Sequence, residues 1–172
     1  MSDELNIRNL IKNTNIEFKL DNSYKQKVII NRKDASEDIR SEECGTNASI
    51  IAKYEGIRND MVALQRSFLK KPGLIADGRD MGTVVFSDSK IKIFLTADVD
   101  VRAKRRYKEL KEKGINVRLA AVLNDMKIRD KQDKERKHGP LTMAHDSILI
   151  DSTNKSIDIV VSEILKYYEN MY

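Results

Sequence analysis

Leu74-Ile75-Ala76-Asp77-Gly78-Arg79-Asp80-Met81-Gly82 carries the most informative local pattern in the chain. Three apolar residues lead directly into a polar loop holding two glycines, two aspartates and an arginine. This reads as a short buried strand whose carboxyl end opens into a loop. In open α/β sheets the ligand sits beyond the carboxyl ends of the strands, and glycine lets the backbone come close to it. Asp77 offers an acid for a hydroxyl or a Mg²⁺-bound water, Arg79 a guanidinium for phosphate, and Asp80 an acid for a base amino group. The same residues also suit an ordinary turn with solvated charges, since Asp-Gly is a common turn dipeptide.

Working outward, Thr83-Val84-Val85-Phe86 and Ile91-Lys92-Ile93-Phe94-Leu95 read as strands. Toward the N-terminus, Ile57, Met61, Leu64 and Phe68 recur at helical spacing, ending at Lys70-Lys71-Pro72-Gly73. Ser36 and Ser41 are the candidate caps for the helix before them. Ile16 to Leu20 and Val28 to Asn31 alternate around Asp21-Asn22-Ser23, a hairpin signal. A short helix over Leu5 to Ile11 precedes it. Toward the C-terminus, helices are expected over Val101 to Lys113, closing at Gly114, and from Val117 to about Lys131. A buried strand at Ile148-Leu149-Ile150 and a last helix capped by Ser156 follow. Strands separated by helices imply an α/β fold with a parallel sheet flanked by helices.

Composition narrows the function classes. The chain has 172 residues, 34% of them charged and 40% hydrophobic, which fits one folded domain over 1–172. No run of 18 apolar residues suggests a membrane span, and Met1 to Leu5 does not open a secretory signal. The single cysteine, Cys44, excludes an internal disulfide and an all-cysteine metal site, and suits a reducing cytoplasm. The net charge of +5 suits an anionic ligand or simply a lysine-rich surface. A basic nucleic-acid-binding domain fits poorly, because aromatic residues are only 6% and no stacking motif accompanies the arginines.

A second charged constellation is Arg129-Asp130-Lys131-Gln132-Asp133-Lys134-Glu135-Arg136, followed by Gly139-Pro140. Arg129, Asp133 and Arg136 are spaced i, i+4, i+7 and share a helix face. Two guanidiniums around one carboxylate suit phosphate oxygens and a ribose hydroxyl. A solvated helix laced with ion pairs is the alternative. Asn47-Ala48-Ser49 with Arg58, and Arg102-Ala103-Lys104-Arg105-Arg106, are weaker candidates. His138 and His145 are isolated, and no metal-ligand spacing is seen.

From about residue 30 to the C-terminus these motifs, in this order, resemble a bacterial cytidylate kinase. The carrying stretches are Gly73 to Phe86, Lys92-Ile93-Phe94-Leu95, Arg102 to Arg106, Arg129-Asp130 with Asp133 and Arg136, Pro140-Leu141, and Asp146 to Thr153. The resemblance implies a P-loop nucleoside monophosphate kinase fold that moves a phosphoryl group from ATP, with Mg²⁺, to CMP or dCMP. It implies that Ser49, Arg58 and Asp80 read the cytosine ring, and that Arg129 and Asp133 bind the ribose. Arg79 and Arg136 would grip phosphates with Asp77 beside them, and Arg102 would lie on the ATP side. It further implies a monophosphate-binding insert over about 13–47 and a LID over about 124–140. The protein is expected to be a cytoplasmic monomer with nucleotides as partners, and no nucleic acid or membrane.

One family feature is not found. Such kinases open on a strand, a Gly-rich loop of the GxxxxGK[ST] type and a helix, and none of the glycines at 45, 56, 73, 78, 82, 114 and 139 begins that motif. The fold is therefore expected to be incomplete: an N-terminally truncated cytidylate kinase whose full-length parent is active and which is inactive by itself.

Overall fold

The computed structural model describes residues 2–135 and 139–171. The chain divides into two compact units, Met1–Leu74 and Ile75–Tyr172.

The first unit opens with helix α1 (Ser2–Asn13), which packs against α3 (Glu55–Ser67). Their crossing is pinned where Arg8 Nε donates to Asp60 at 2.6 Å. Strands β1 (Ile16–Leu20) and β2 (Gln26–Ile30) form the expected antiparallel hairpin. Its loop is built by Asp21, whose carboxylate accepts from the amides of Ser23 and Lys25. A second turn, Asn31-Arg32, joins β2 to the short β3 (Lys33–Asp34). Both of its residues have positive φ, 47° and 69°, as a two-residue hairpin of this kind requires. Arginine is an unusual choice there, so the second hairpin carries no sequence signal. Phe18 of β1 meets Phe68 edge-to-face at 5.1 Å, tying the hairpin to the end of α3.

Of the two candidate caps, Ser41 takes the role for α2 (Glu42–Ile51), its hydroxyl accepting from the Cys44 amide. Ser36 is buried and serves the sheet, donating to Asp34 and accepting from the Val28 amide.

The second unit is built on two parallel strands, β4 (Ile93–Thr96) and β5 (Ile148–Asp151), paired from Ile93↔Ile148 to Thr96↔Asp151. Helices α4 (Val99–Glu112) and α5 (Leu119–Glu135) pack together along the crossover between them, and α6 (Ile157–Glu169) follows β5. Asp98 caps α4, accepting from the Asp100 amide at 2.8 Å, and Ser156 caps α6 as expected. Gly114, at φ 75°, ends the α4 segment. Among the described residues the core of this unit includes Val85, Ala103, Val122, Ile150 and Val160.

Two expected strands do not form. Leu74-Ile75-Ala76 lies outside regular structure, with Ile75 fully exposed. A strand exists only where its backbone groups find partners, and among the described residues β4 and β5 pair only with each other. Thr83 to Phe86 falls instead on a π-helical turn over Met81–Val85. There the Val85 amide donates to Asp80 and the Phe86 amide to Met81, at 3.1 and 2.7 Å. Short apolar runs do not distinguish strand from helix by pattern alone. The strand at Ile91 to Leu95 does form, shifted to start at Ile93.

Along β5, Ile150 is fully buried while Leu149 is 55% exposed. Ile150→Ala is expected to cost about 2–5 kcal/mol and Leu149→Ala well under half of that. Urea titration monitored by amide exchange in β4 and β5 checks the difference, and equal losses would contradict this facing.

Candidate functional site

The loop Asp77 to Asp80 and helix α5 bring charged groups of the second unit together. Gly78 permits a tight loop, since a Cβ there would stand 3.0 Å from the Met81 side chain. Asp80 caps the π-helical turn, its carbonyl accepting from the amides of Val84 and Val85 at 2.9 and 3.1 Å. This fixes the backbone that carries Arg79 and Asp80. Asp77 and Arg79 are exposed, and Asp80 is half-buried.

Arg79 forms an ion pair with Asp133 of α5. One turn earlier on the same helix, Asp130 takes both nitrogens of the Arg102 fork, at 3.1 and 2.6 Å. Arg102 is itself braced, its Nε donating to the Ala97 carbonyl at 3.0 Å. Asp130 and Asp133 are three residues apart, so both face the arginines of neighbouring segments. The Arg102 hydrogen bonds, helped by the nearby charge of Arg79, hold the Asp130 carboxyl below its ordinary value of 3.8. Beyond α5, the Leu141 amide donates to the Asp133 carbonyl at 2.7 Å, fastening the chain after Pro140 to the helix.

The expected residues are thus distributed as follows. Arg79 and Asp133 meet. Arg102, expected on the ATP side, is engaged by Asp130, a residue to which sequence reasoning gave no role. Arg129 lies on α5 and is exposed, and Arg136 lies outside the described residues. Arg58 sits half-buried on α3, next to the fully buried Ile57, as its position beside the apolar face suggested. Ser49 falls on α2, and its side chain is outside those described. Both belong to the first unit. The available signal for Asp130 was its i, i+3 spacing to Asp133, masked by the competing pattern of Arg129, Asp133 and Arg136.

The carboxyl end of the strand pair carries a second set of contacts. Arg105 donates to the Ser152 carbonyl at 2.6 Å, and buried Ser152 donates through its hydroxyl to the Thr96 carbonyl. The Asp98 amide donates to Thr153 Oγ1 at 2.9 Å. Asp151, accepting from Thr153, is held below the usual carboxylate range. These bonds tie β4, β5 and α4 to one another where ligands of such sheets bind.

A family model described as Cytidylate kinase matches residues 1–170. The chain belongs to the cytidylate kinase family. The cytidylate kinase of Nitrosomonas europaea is 42% identical over 168 residues, covering 98% of this chain and 73% of that protein. That of Aeromonas salmonicida is 44% identical over 160 residues, covering 93% and 69%. That of Pseudomonas aeruginosa (strain LESB58) is 46% identical over 149 residues, covering 87% and 65%. The matches therefore span about two thirds to three quarters of these relatives. The family is one of P-loop monophosphate kinases, in keeping with the parallel strands and flanking helices described here.

No helix among the described residues is long and apolar enough to cross a membrane. Nor do three His, Cys, Asp or Glu side chains among them gather as a metal site.

The Arg102–Asp130 pair gives a pH dependence with a definite sign. Asp130 titrates lower in the folded state than in the unfolded chain. Its contribution is complete above the ordinary value of 3.8 and is lost as pH falls from there through the lowered folded value. Side chains about a third exposed screen this pair, so we expect about 1 kcal/mol. Asp130→Asn should remove that loss from the acid limb of stability against pH, measured by thermal unfolding. An unchanged acid limb would show that the pair contributes nothing.

Proposed function

We propose that the protein acts in phosphoryl transfer from ATP to CMP or dCMP, giving ADP and CDP or dCDP. The reading rests on family membership, and the observation that carries it at residue level is Arg79 meeting Asp133. An arginine from a glycine-containing loop and an acid from a distant helix share one place, with Asp130 and Arg102 beside them. Paired in this way, the guanidinium is held ready and its charge is balanced until a phosphate oxygen competes for it. Arginine suits the task because its planar fork matches a phosphate and stays charged.

In this proposal Arg79 and Arg136 bind the phosphates, with Asp77 at the mouth of the loop. Asp133 and Arg129 take the ribose hydroxyls. Ser49, Arg58 and Asp80 read the cytosine edge, where a wrong base would leave a polar group unpaired. Arg102 reaches toward ATP by way of its partner Asp130. Segment 13–47 serves as the monophosphate-binding insert and 124–140 as a LID that closes over the transferring group. Mg²⁺ enters with the phosphates of ATP. The protein works as a cytoplasmic monomer whose partners are nucleotides rather than nucleic acid.

A second reading is a CMP-binding protein without turnover, since the pairs Arg79–Asp133 and Arg102–Asp130 suit holding a nucleotide whether or not it reacts. Two measurements separate the readings. Calorimetry with CMP should give saturable binding, weakened about tenfold or more in Arg79→Ala and in Asp133→Ala. A coupled assay with ATP, CMP and Mg²⁺ then looks for ADP and CDP. Turnover of about 1–100 s⁻¹ establishes the kinase in this chain, and binding without turnover selects the second reading. Absence of CMP binding would defeat both.

A further inference from the structure

We propose that Lys92 is a positioning residue for the nucleotide site: it holds the π-helical turn that directly follows Arg79 and Asp80. The inference rests on the functional reading above, and it assigns a role to a residue outside the candidate site.

Lysine is almost never fully buried without a partner, yet the Lys92 side chain is only 7% exposed. Its ammonium group donates to the Ser87 carbonyl at 2.6 Å and to both oxygens of Asp146, at 2.8 and 2.6 Å. A carbonyl and a carboxylate thus share the protons of the group, and its charge is met by that of Asp146. Its backbone carbonyl accepts from the Ile148 amide at 2.8 Å, immediately where β5 begins. One residue therefore joins the entry to β4, the entry to β5, the loop before β5, and the bend that follows the π-helical turn.

The stem of the side chain matters as much as its head. A Cβ built on Gly82 would stand 3.5–3.7 Å from the Cδ, Cγ and Cβ of Lys92. The lysine methylenes thus run alongside the turn at Gly82, at a distance that leaves room for a methyl group, while Ser87, just past its end, is held by the ammonium. Gripped at these two points, the turn keeps its first carbonyl, that of Asp80, under the amides of Val84 and Val85. Arg79 is the next residue back, so its backbone is set by the same grip. A methionine would fill the volume of the stem and drop the head. It would leave the Ser87 carbonyl without its donor and Asp146 without its cation.

Asp146 provides the complementary handle. Its side chain is 59% exposed, so Asp146→Asn removes a charge without opening the core.

The test compares wild type, Lys92→Met, Lys92→Arg and Asp146→Asn at a temperature where each is folded by circular dichroism. Two quantities are read: amide exchange at Val84, Val85 and Phe86, and the CMP dissociation constant by calorimetry. We expect Lys92→Met to speed exchange at those three amides by at least tenfold while amides of α6 keep their rates. CMP binding should weaken at least tenfold, with partial recovery of both quantities in Lys92→Arg. Asp146→Asn should change both in the same direction by less. Uniformly faster exchange across the unit, or unchanged CMP affinity once the turn is loosened, would reduce Lys92 to general stability and overturn the proposal. Unchanged exchange at the three amides would overturn it too. Should the wild type itself bind no CMP, the functional reading fails, while the exchange arm, which needs no nucleotide, still decides whether Lys92 holds the turn.

Discussion

Two strands that run parallel cannot be joined by a tight turn; the chain must travel back the full length of the pair, and it does so most cheaply as helix. That constraint organises the second unit. Once Ile93–Thr96 and Ile148–Asp151 pair in parallel, α4 and α5 have to fill the return path. Both strands also end at the same edge of the sheet. At that edge the backbone runs out of ladder partners, and side chains take over. Asp98 caps α4, Ser152 reaches the Thr96 carbonyl, and Arg105 reaches Ser152. The polar groups that ligand chemistry needs are gathered there because strand ends leave hydrogen-bonding groups to be satisfied.

The charged site follows from the same crossover. α5 is the second helix of the return path, and it presents Asp130 and Asp133 on one side. The arginines they meet both lie upstream in sequence, Arg102 on the helix just before and Arg79 in a loop well before that. Neither carboxylate is buried deeply, so these pairs contribute modestly to stability. Their effect is more one of arrangement: each guanidinium is held in a fixed place with its charge balanced. Preorganised cations of this kind are the main resource for phosphoryl transfer, where charge is spread over several oxygens and positioning matters most. Membership of the cytidylate kinase family gives the proposed function its substrate class.

Elements with strong local chemistry were legible in the residues themselves. The hairpin around Asp21, the caps at Ser41 and Ser156, and the close of α4 at Gly114 all follow from short-range bonds that a few side chains dictate. The order of motifs likewise placed the chain in its family. Legibility stopped where apolar runs were too short to reveal a period. Leu74-Ile75-Ala76 and Thr83-Val84-Val85-Phe86 have strand-like composition, but one finds no strand partner among the described residues and the other closes its hydrogen bonds locally as a π-helical turn. The turn at Asn31-Arg32 was hidden for a different reason: its positive φ values fall on an asparagine and an arginine, where glycine would have announced them.

Local structures, and the inventory of arginines and aspartates, are therefore written in the order of residues, because caps, turns and helical faces depend on positions a few apart. Pairing, by contrast, is set by packing. Asp130 joins the charged cluster, Arg102 is taken by its carboxylate, and Lys92 is buried against Asp146 and Ser87. A long side chain on a helix or strand end has several acids within reach along the chain. Which of them it meets depends on how segments far apart in sequence are packed, and that is set by the parallel strands and the helices between them.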